Sequence, residues 1–165
     1  MQKRTQPSLR QLGILGLCCY MAALGYILFY RTGYRPTNAF SYWDYVKRNI
    51  QLIPFYTVKE MAALMINSEA SVNARILAAI NIIGNILLMF PAGLFLPIVF
   101  KRFHKFSVYA LWMLVFITCI EILQVLTACG SFDMDDILLN FAGSILGFLL
   151  FSIVGKLIRR LEDTP

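Results

Sequence analysis

Four long apolar stretches, broken by short polar turns, dominate the hydrophobic pattern of this chain. Leu12–Tyr30, Ile76–Phe100 and Ile137–Gly155 carry no charged residue, and Phe106–Ala128 carries one, Glu121. A bilayer crossing needs roughly 20 apolar residues as a helix, and a helix is the open-ended form that satisfies its own backbone in lipid. The pattern therefore predicts an all-α membrane protein with four transmembrane helices at about 12–30, 76–100, 106–128 and 137–155. Residues 31–75 are too charged to cross and read as one long connecting loop. Inside it, Thr57 to Ile66 reads as a short helix, with Thr57 and Glu60 at capping-box spacing. Its Val58, Met61, Ala62, Leu64 and Met65 form an apolar face, which predicts an interfacial or shallow re-entrant helix.

Composition strengthens this reading. Of 165 residues 59% are apolar and 15% charged, with a mean hydropathy of +0.67, far above a soluble domain of this size. Too little polar chain remains for a second core, so residues 1–165 read as a single membrane domain. The first span is longer than a signal-peptide core and lacks a small-x-small cleavage pattern, so it reads as a retained anchor. The net charge of +6 fits a membrane protein rather than a nucleic-acid reader, because of where it lies.

Basic residues set the expected orientation. Lys3, Arg4 and Arg10 precede span one, Lys101, Arg102 and Lys105 fill the turn after span two, and Lys156, Arg159 and Arg160 follow span four. With four crossings these segments share a side, nine Lys/Arg against Glu162 and Asp163. The other side has six Lys/Arg against six acids. Both termini are expected to be cytoplasmic, with 31–75 and the acidic Cys129–Asp136 connection outside. Phe40, Tyr42, Trp43 and Tyr45 suit an outer headgroup belt.

The remaining chemistry is sparse. Cysteines 18, 19, 119 and 129 have neither zinc nor redox spacing and read as small apolar fillers. The single histidine, His104, lies in the basic turn, away from any outward site. No phosphate loop or serine-nucleophile motif is present. The informative residues are polar groups inside spans, where each is costly. Asn81 and Asn85 share one face of span two, and Glu121 and Gln124 one face of span three. Asp133, Asp136 and Asn140 form a stripe at the start of span four. Asn81 and Asn85 lie roughly 8–14 Å below the outer start of their helix, and Glu121 and Gln124 roughly 6–11 Å below the outer end of theirs. The stripes share a depth, so they predict one polar pocket opening outward. Taken singly, Asn and Gln also serve as interhelical glue, and Asp136 suits a helix N-cap. Asp135 is expected to be solvated. No base lies in any span to pair with Glu121, so it either carries its proton or draws on an outer-loop base or a bound cation. Gly143 and Gly147 share the face of Asp136 and Asn140, where a neighbouring helix can approach closely. Gly84 is expected to serve likewise. Pro91 is expected to kink span two.

These residues resemble the VanZ-like family of membrane proteins, associated with teicoplanin resistance. Gln51-Leu52-Ile53-Pro54-Phe55 is similar to the family's Asn-Leu-x-Pro-Phe block. Asn85 through Pro91 and Gly93 is similar to its Asn-x-x-x-Phe-x-Pro-x-Gly block, with Met89 at the aromatic position and Phe90 one later. Glu121-Ile122-Leu123-Gln124, then Asp133-Met134-Asp135-Asp136 and Asn140-Phe141-Ala142-Gly143, is similar to the third and most specific block. Many relatives carry Arg where this chain has Gly130; Arg35, Lys59 or Arg75 could replace it. The resemblance implies an integral membrane protein of the bacterial plasma membrane that lowers susceptibility to teicoplanin-type lipoglycopeptides.

Two functions then compete. One is binding or alteration of an envelope component at the outer leaflet: a membrane lipid, a lipid-linked cell-wall precursor or the lipoglycopeptide itself. The other is an intramembrane enzyme acting on a lipid headgroup or such a precursor. There Glu121 would transfer the proton and Asp136 would join it in the catalytic set. Asp133 and Asp136 would hold a hard divalent cation, the one cofactor these carboxylates suit, and Asn85, Gln124 and Asn140 would orient the substrate. On either reading Asn81, Asn85, Gln124, Asp133 and Asn140 are the expected binding residues. Pro54, Pro91, Gly93, Gly143 and Gly147 are expected to be structural. An ion pathway would call for an inverted repeat, which is not evident. The sequence sets no oligomeric state.

Overall fold

The computed structural model describes residues 8–31 and 41–162. Phe40, Arg35, Lys3 and Arg4 lie outside the described residues, as do the side chains of Arg159 and Arg160. Six α-helices follow in order: α1 Leu9–Gly25, α2 Tyr42–Arg48, α3 Tyr56–Ile66, α4 Val72–Val99, α5 Phe106–Leu126 and α6 Met134–Glu162. A π-helical turn, Tyr26–Arg31, extends α1, and a 3-10 turn, Lys101–His104, joins α4 to α5.

Among the described residues, four helices are long and apolar enough to cross a membrane: Leu9–Tyr30, Val72–Val99, Phe106–Leu126 and Met134–Leu157. Only 17–33% of their most apolar windows is buried within the protein, so most of their apolar surface must face lipid. Helices α1 and α4 begin about a turn earlier than hydropathy alone indicates because of caps. The Ser8 hydroxyl accepts from the Gln11 N–H while the Gln11 side chain accepts from the Ser8 N–H, a reciprocal box that starts α1. Ser71 accepts from the Ala74 N–H and starts α4. The latter helix then runs without a break through Pro91 and Pro97.

The bundle is built around α4 and α6, which pack backbone to backbone. A Cβ at Gly143 would strike the Ile86 carbonyl, one at Gly147 the Phe90 carbonyl, and one at Gly93 the Ser144 carbonyl and the Phe148 N–H. Gly84, expected in the same role, is a correction: a Cβ there meets nothing within 4 Å. Helix α1 lies against α4, with Gly13 facing Ile98 and Gly16 facing Phe95. The Tyr20 hydroxyl donates to the Leu88 carbonyl at 3.0 Å. Helix α5 inserts Tyr109, Met113 and Ile117, each at most 1% exposed, into the core. Tyr109 stacks on Phe148 with ring centroids 4.7 Å apart and donates to the Ser144 carbonyl at 3.0 Å.

The connecting segments form a cap over one end of this bundle. Strand β1, Ile50–Gln51, pairs in parallel with β2, Phe132–Asp133, in the register Ile50 to Phe132 and Gln51 to Asp133. The pairing ties the long loop to the start of α6. Helix α2, absent from the sequence reading, docks on the end of α5: the Tyr42 hydroxyl donates to the Leu126 carbonyl at 2.8 Å and the Tyr45 hydroxyl to the Gly130 carbonyl at 2.7 Å. Tyr45 is therefore no belt residue. It is buried with Val46 against Val125 and Ala128, whereas Trp43 stays 63% exposed.

Helix α3 forms almost where the pattern places it, but its cap is different. Thr57 is inside the helix and donates to Asp133 Oδ2 at 2.6 Å. The first free N–H groups, of Phe55 and Val58, are bound by Asp135 Oδ1 and Oδ2 at 2.5 and 2.9 Å. Asp135 is fully buried, which corrects its expected solvation. Four initial N–H groups of any helix lack intrahelical partners. Here Pro54 and Phe55 precede the helix and offer no side-chain acceptor, so a carboxylate distant in sequence supplies one. Pro54 itself is exposed, in the turn before the left-handed Phe55 (φ 63°).

Candidate functional site

The polar residues gather just beneath this cap. A cavity of about 600 Å³ opens between α1, α4 and the 129–131 connection. Its walls include Tyr20, Asn81, Asn85, Gln124, Gly130 and Asp136. Three helices thus contribute the amides and the carboxylate: α4 gives Asn81 and Asn85, α5 gives Gln124, and α6 gives Asp136. Across the α4–α6 seam the Asn85 amide donates to Asp136 Oδ1 at 2.5 Å. Gly84 is one turn along α4 from Asn81 and lies on the open wall with it, which explains why its missing side chain costs no packing.

Behind this wall are the groups that do not reach the cavity. Glu121 is 3% exposed, and its carboxylate faces the Asp133 backbone and lies close to Asp136. Asn140, one turn along α6 from Asp136, is also 3% exposed. Asp133 is occupied: Oδ1 accepts from the Asp135 N–H at 2.8 Å and Oδ2 from the Thr57 hydroxyl. The Asp135 contact is the capping bond at the start of α6, so Asp133 rather than Asp136 takes the N-cap role. Asp133, expected to share a cation with Asp136, thus has each carboxylate oxygen in a hydrogen bond within the fold. Among the described residues no group of three or more His, Cys, Asp or Glu gathers to hold a metal ion.

Three buried polar atoms among the described residues have no hydrogen-bond partner: Asn81 Oδ1, Glu121 Oε2 and Asn140 Oδ1. All three are acceptors. A buried acceptor left unmet costs about 1–3 kcal/mol, so each of the three needs a compensating role. No Lys or Arg lines the cavity. Lys59 and Arg75 lie away from it, and Arg35 falls outside the described residues. At Gly130 a Cβ would lie 3.3–3.4 Å from the Gln124 side chain, so a residue larger than glycine here would press on Gln124.

Sequence reasoning missed Tyr20 and gave Thr57 a partner within its own helix. Tyr20 sits among apolar neighbours, with no polar partner in its own helix to flag it. Thr57 was assigned a local cap. The missing acceptor ahead of α3 was the available signal for Asp135.

The architecture is that of a multi-pass helical membrane protein with a polar cavity set between its spans. The family model described as VanZ/LLP1 matches residues 17–155, and the chain belongs to that family. It is 28% identical over 144 residues to Protein VanZ of Enterococcus faecium, covering 87% of this chain and 74% of that relative. No solved structure matches.

Proposed function

We propose that this VanZ-like protein binds a donor-bearing group of an envelope component at the outer leaflet of the bacterial plasma membrane, and thereby lowers susceptibility to teicoplanin-type lipoglycopeptides. The observation that carries the reading is the polar wall of the cavity: Asn81, Asn85, Gln124 and Asp136 line it, with no Lys or Arg among them. Such a site favours hydroxyl or amino groups over bare phosphate, because a carboxylate repels an anion and accepts from a donor. A sugar or amine headgroup of a membrane lipid or lipid-linked cell-wall precursor has that chemistry. Tyr20, Leu24 and Leu28 give the cavity an apolar side for the attached chain. The positive-inside bias supports a cytoplasmic location for the basic end, with the cavity toward the other face.

A second reading rests on Glu121, whose buried Oε2 beside Asp136 lacks a partner. In an intramembrane enzyme acting on the same headgroup, this carboxylate would move a proton.

Binding of fluorescent teicoplanin to intact cells tests both, with membrane levels checked by blot. Wild type is expected to lower surface binding and susceptibility. Asp136→Asn replaces one carboxylate oxygen by an amide donor and is expected to weaken ligand affinity about tenfold, the loss of a hydrogen bond of about 1–1.5 kcal/mol. Under the binding reading Glu121→Gln weakens the effect in part. Under the enzyme reading it abolishes the effect with folding intact. Unchanged antibiotic binding and susceptibility on expressing wild type would refute the resistance reading.

A further inference from the structure

A second cavity, of about 940 Å³, lies at the opposite end of the bundle, and its chemistry is the reverse of the first. Its polar rim carries Arg10 from the first turns of α1 and Lys101 and Arg102 from the turn after α4. The fold brings these cations together although about ninety residues separate them in sequence. No acidic residue lines this cavity, and none of the three cations has a carboxylate partner among the described residues. Below the rim the lining is apolar, with Leu9, Ile98, Val99 and Phe151.

The turn that carries two of the cations is held in place. His104 Nε2 meets the Pro97 carbonyl at 3.0 Å, and the His104 ring packs on Phe151. The Arg102 guanidinium lies over the Phe103 and Trp112 rings, 4.8 and 5.2 Å from their centroids. Stacking fixes the plane of the guanidinium without consuming its N–H donors, as a carboxylate partner would.

We infer that this cavity binds an anionic phospholipid, with its phosphate among Arg10, Lys101 and Arg102 and its acyl chain against Ile98 and Phe151. Clustered cations without counter-charges recognise a phosphate. The apolar floor, at the level where the spans end, distinguishes a lipid from a free anion, which would gain nothing from it. Basic pockets between transmembrane helices are suited to such headgroups. The inference is independent of the proposed outward function.

Native mass spectrometry of the detergent-purified full chain tests it. Phosphatidylglycerol and phosphatidylcholine with identical acyl chains would be titrated in turn, with glycerol 3-phosphate as competitor. Wild type is expected to prefer phosphatidylglycerol. Each cation removed should weaken that binding about fivefold. The double variant Arg10→Gln/Lys101→Gln should lose most of the preference, and neither residue stacks in the core. Arg102→Gln should act in the same direction, with a thermal melt confirming its fold. Equal affinity for the two lipids would overturn the inference, as would a preference surviving the double variant. Displacement of the lipid by glycerol 3-phosphate at equal concentration would overturn the lipid assignment in favour of a free-phosphate site.

Discussion

Gly143→Leu is expected to unseat the α4–α6 pair. At this position the first side-chain carbon alone would strike the Ile86 carbonyl, and the obstacle is backbone rather than a side chain able to rotate away. Overfilling a packed interior costs about 1–3 kcal/mol where side chains can adjust. Two helix backbones in contact have less room to do so, which places this substitution at or above the top of that range. Separation here also acts on the site. Ile86 adjoins Asn85, so moving it breaks the hydrogen bond that the Asn85 amide donates to Asp136 across the same seam. The expected result is a clear fall in melting temperature in detergent together with loss of the cavity's function. Gly84→Ala is the matched control, because a Cβ there enters open space. Relieving a helical glycine of its excess flexibility is worth about 0.5–1 kcal/mol, so this variant should melt at or above wild type. Equal melting of Gly143→Leu and wild type would mean that α4 and α6 do not close at this point.

The second large effect is expected at Asp135. Its two carboxylate oxygens bind the Phe55 and Val58 N–H groups, and it is fully buried. Asp135→Ala removes both acceptors and leaves two helix-initiating donors unmet, a loss of about 2–4 kcal/mol. The spans themselves do not depend on this contact, so the damage should be local. Hydrogen exchange of the 55–66 backbone should accelerate sharply while the core of α5 around Met113 and Ile117 stays protected. Asp135→Asn keeps one acceptor and should fall between the two. Unchanged exchange at Phe55 and Val58 in the alanine variant would show that α3 is not held by this residue.

The two results bear on how the α4–α6 seam and the cap position the cavity. Asp133, Asp135 and Asp136 are consecutive or nearly so in sequence yet serve three different neighbours. Asp133 caps α6 and receives Thr57, Asp135 holds α3, and Asp136 faces the cavity with Asn85. The Asp133–Asp136 segment is thus a joint between the cap and the bundle. Substitutions in it can change binding by moving the cap as well as by removing a contact. The exchange measurement separates the two, because Asp136→Asn leaves the α3 contacts untouched.

Much of this molecule was legible in its sequence, and the reason is the solvent. In lipid a span must be long, apolar and internally hydrogen-bonded, so four crossings follow from local composition. The same constraint made Asn81, Asn85, Gln124 and Asp136 conspicuous, and helix geometry with alternating direction placed them at one depth. Gly143 and Gly147 announced a close helix contact by their spacing with Asp136. Matters that depend on distant partners were not legible. Thr57 looked like its own helix cap, but its partner is Asp133, 76 residues away. Asp135 looked like a solvated neighbour of Asp136 and proved to be the buried acceptor for α3. Tyr45 looked like a headgroup-facing aromatic and instead docks on Gly130. Gly84 and Gly143 are the same residue type on apolar helices, and only the packing of α4 on α6 decides which one faces a backbone and which an open cavity. Hydropathy is a local property, so the sequence alone determined the crossings and their polar stripes. Hydrogen-bond partnership and helix contact depend on where remote segments meet, so only the tertiary structure decided which polar groups are spent on the fold and which remain unmet.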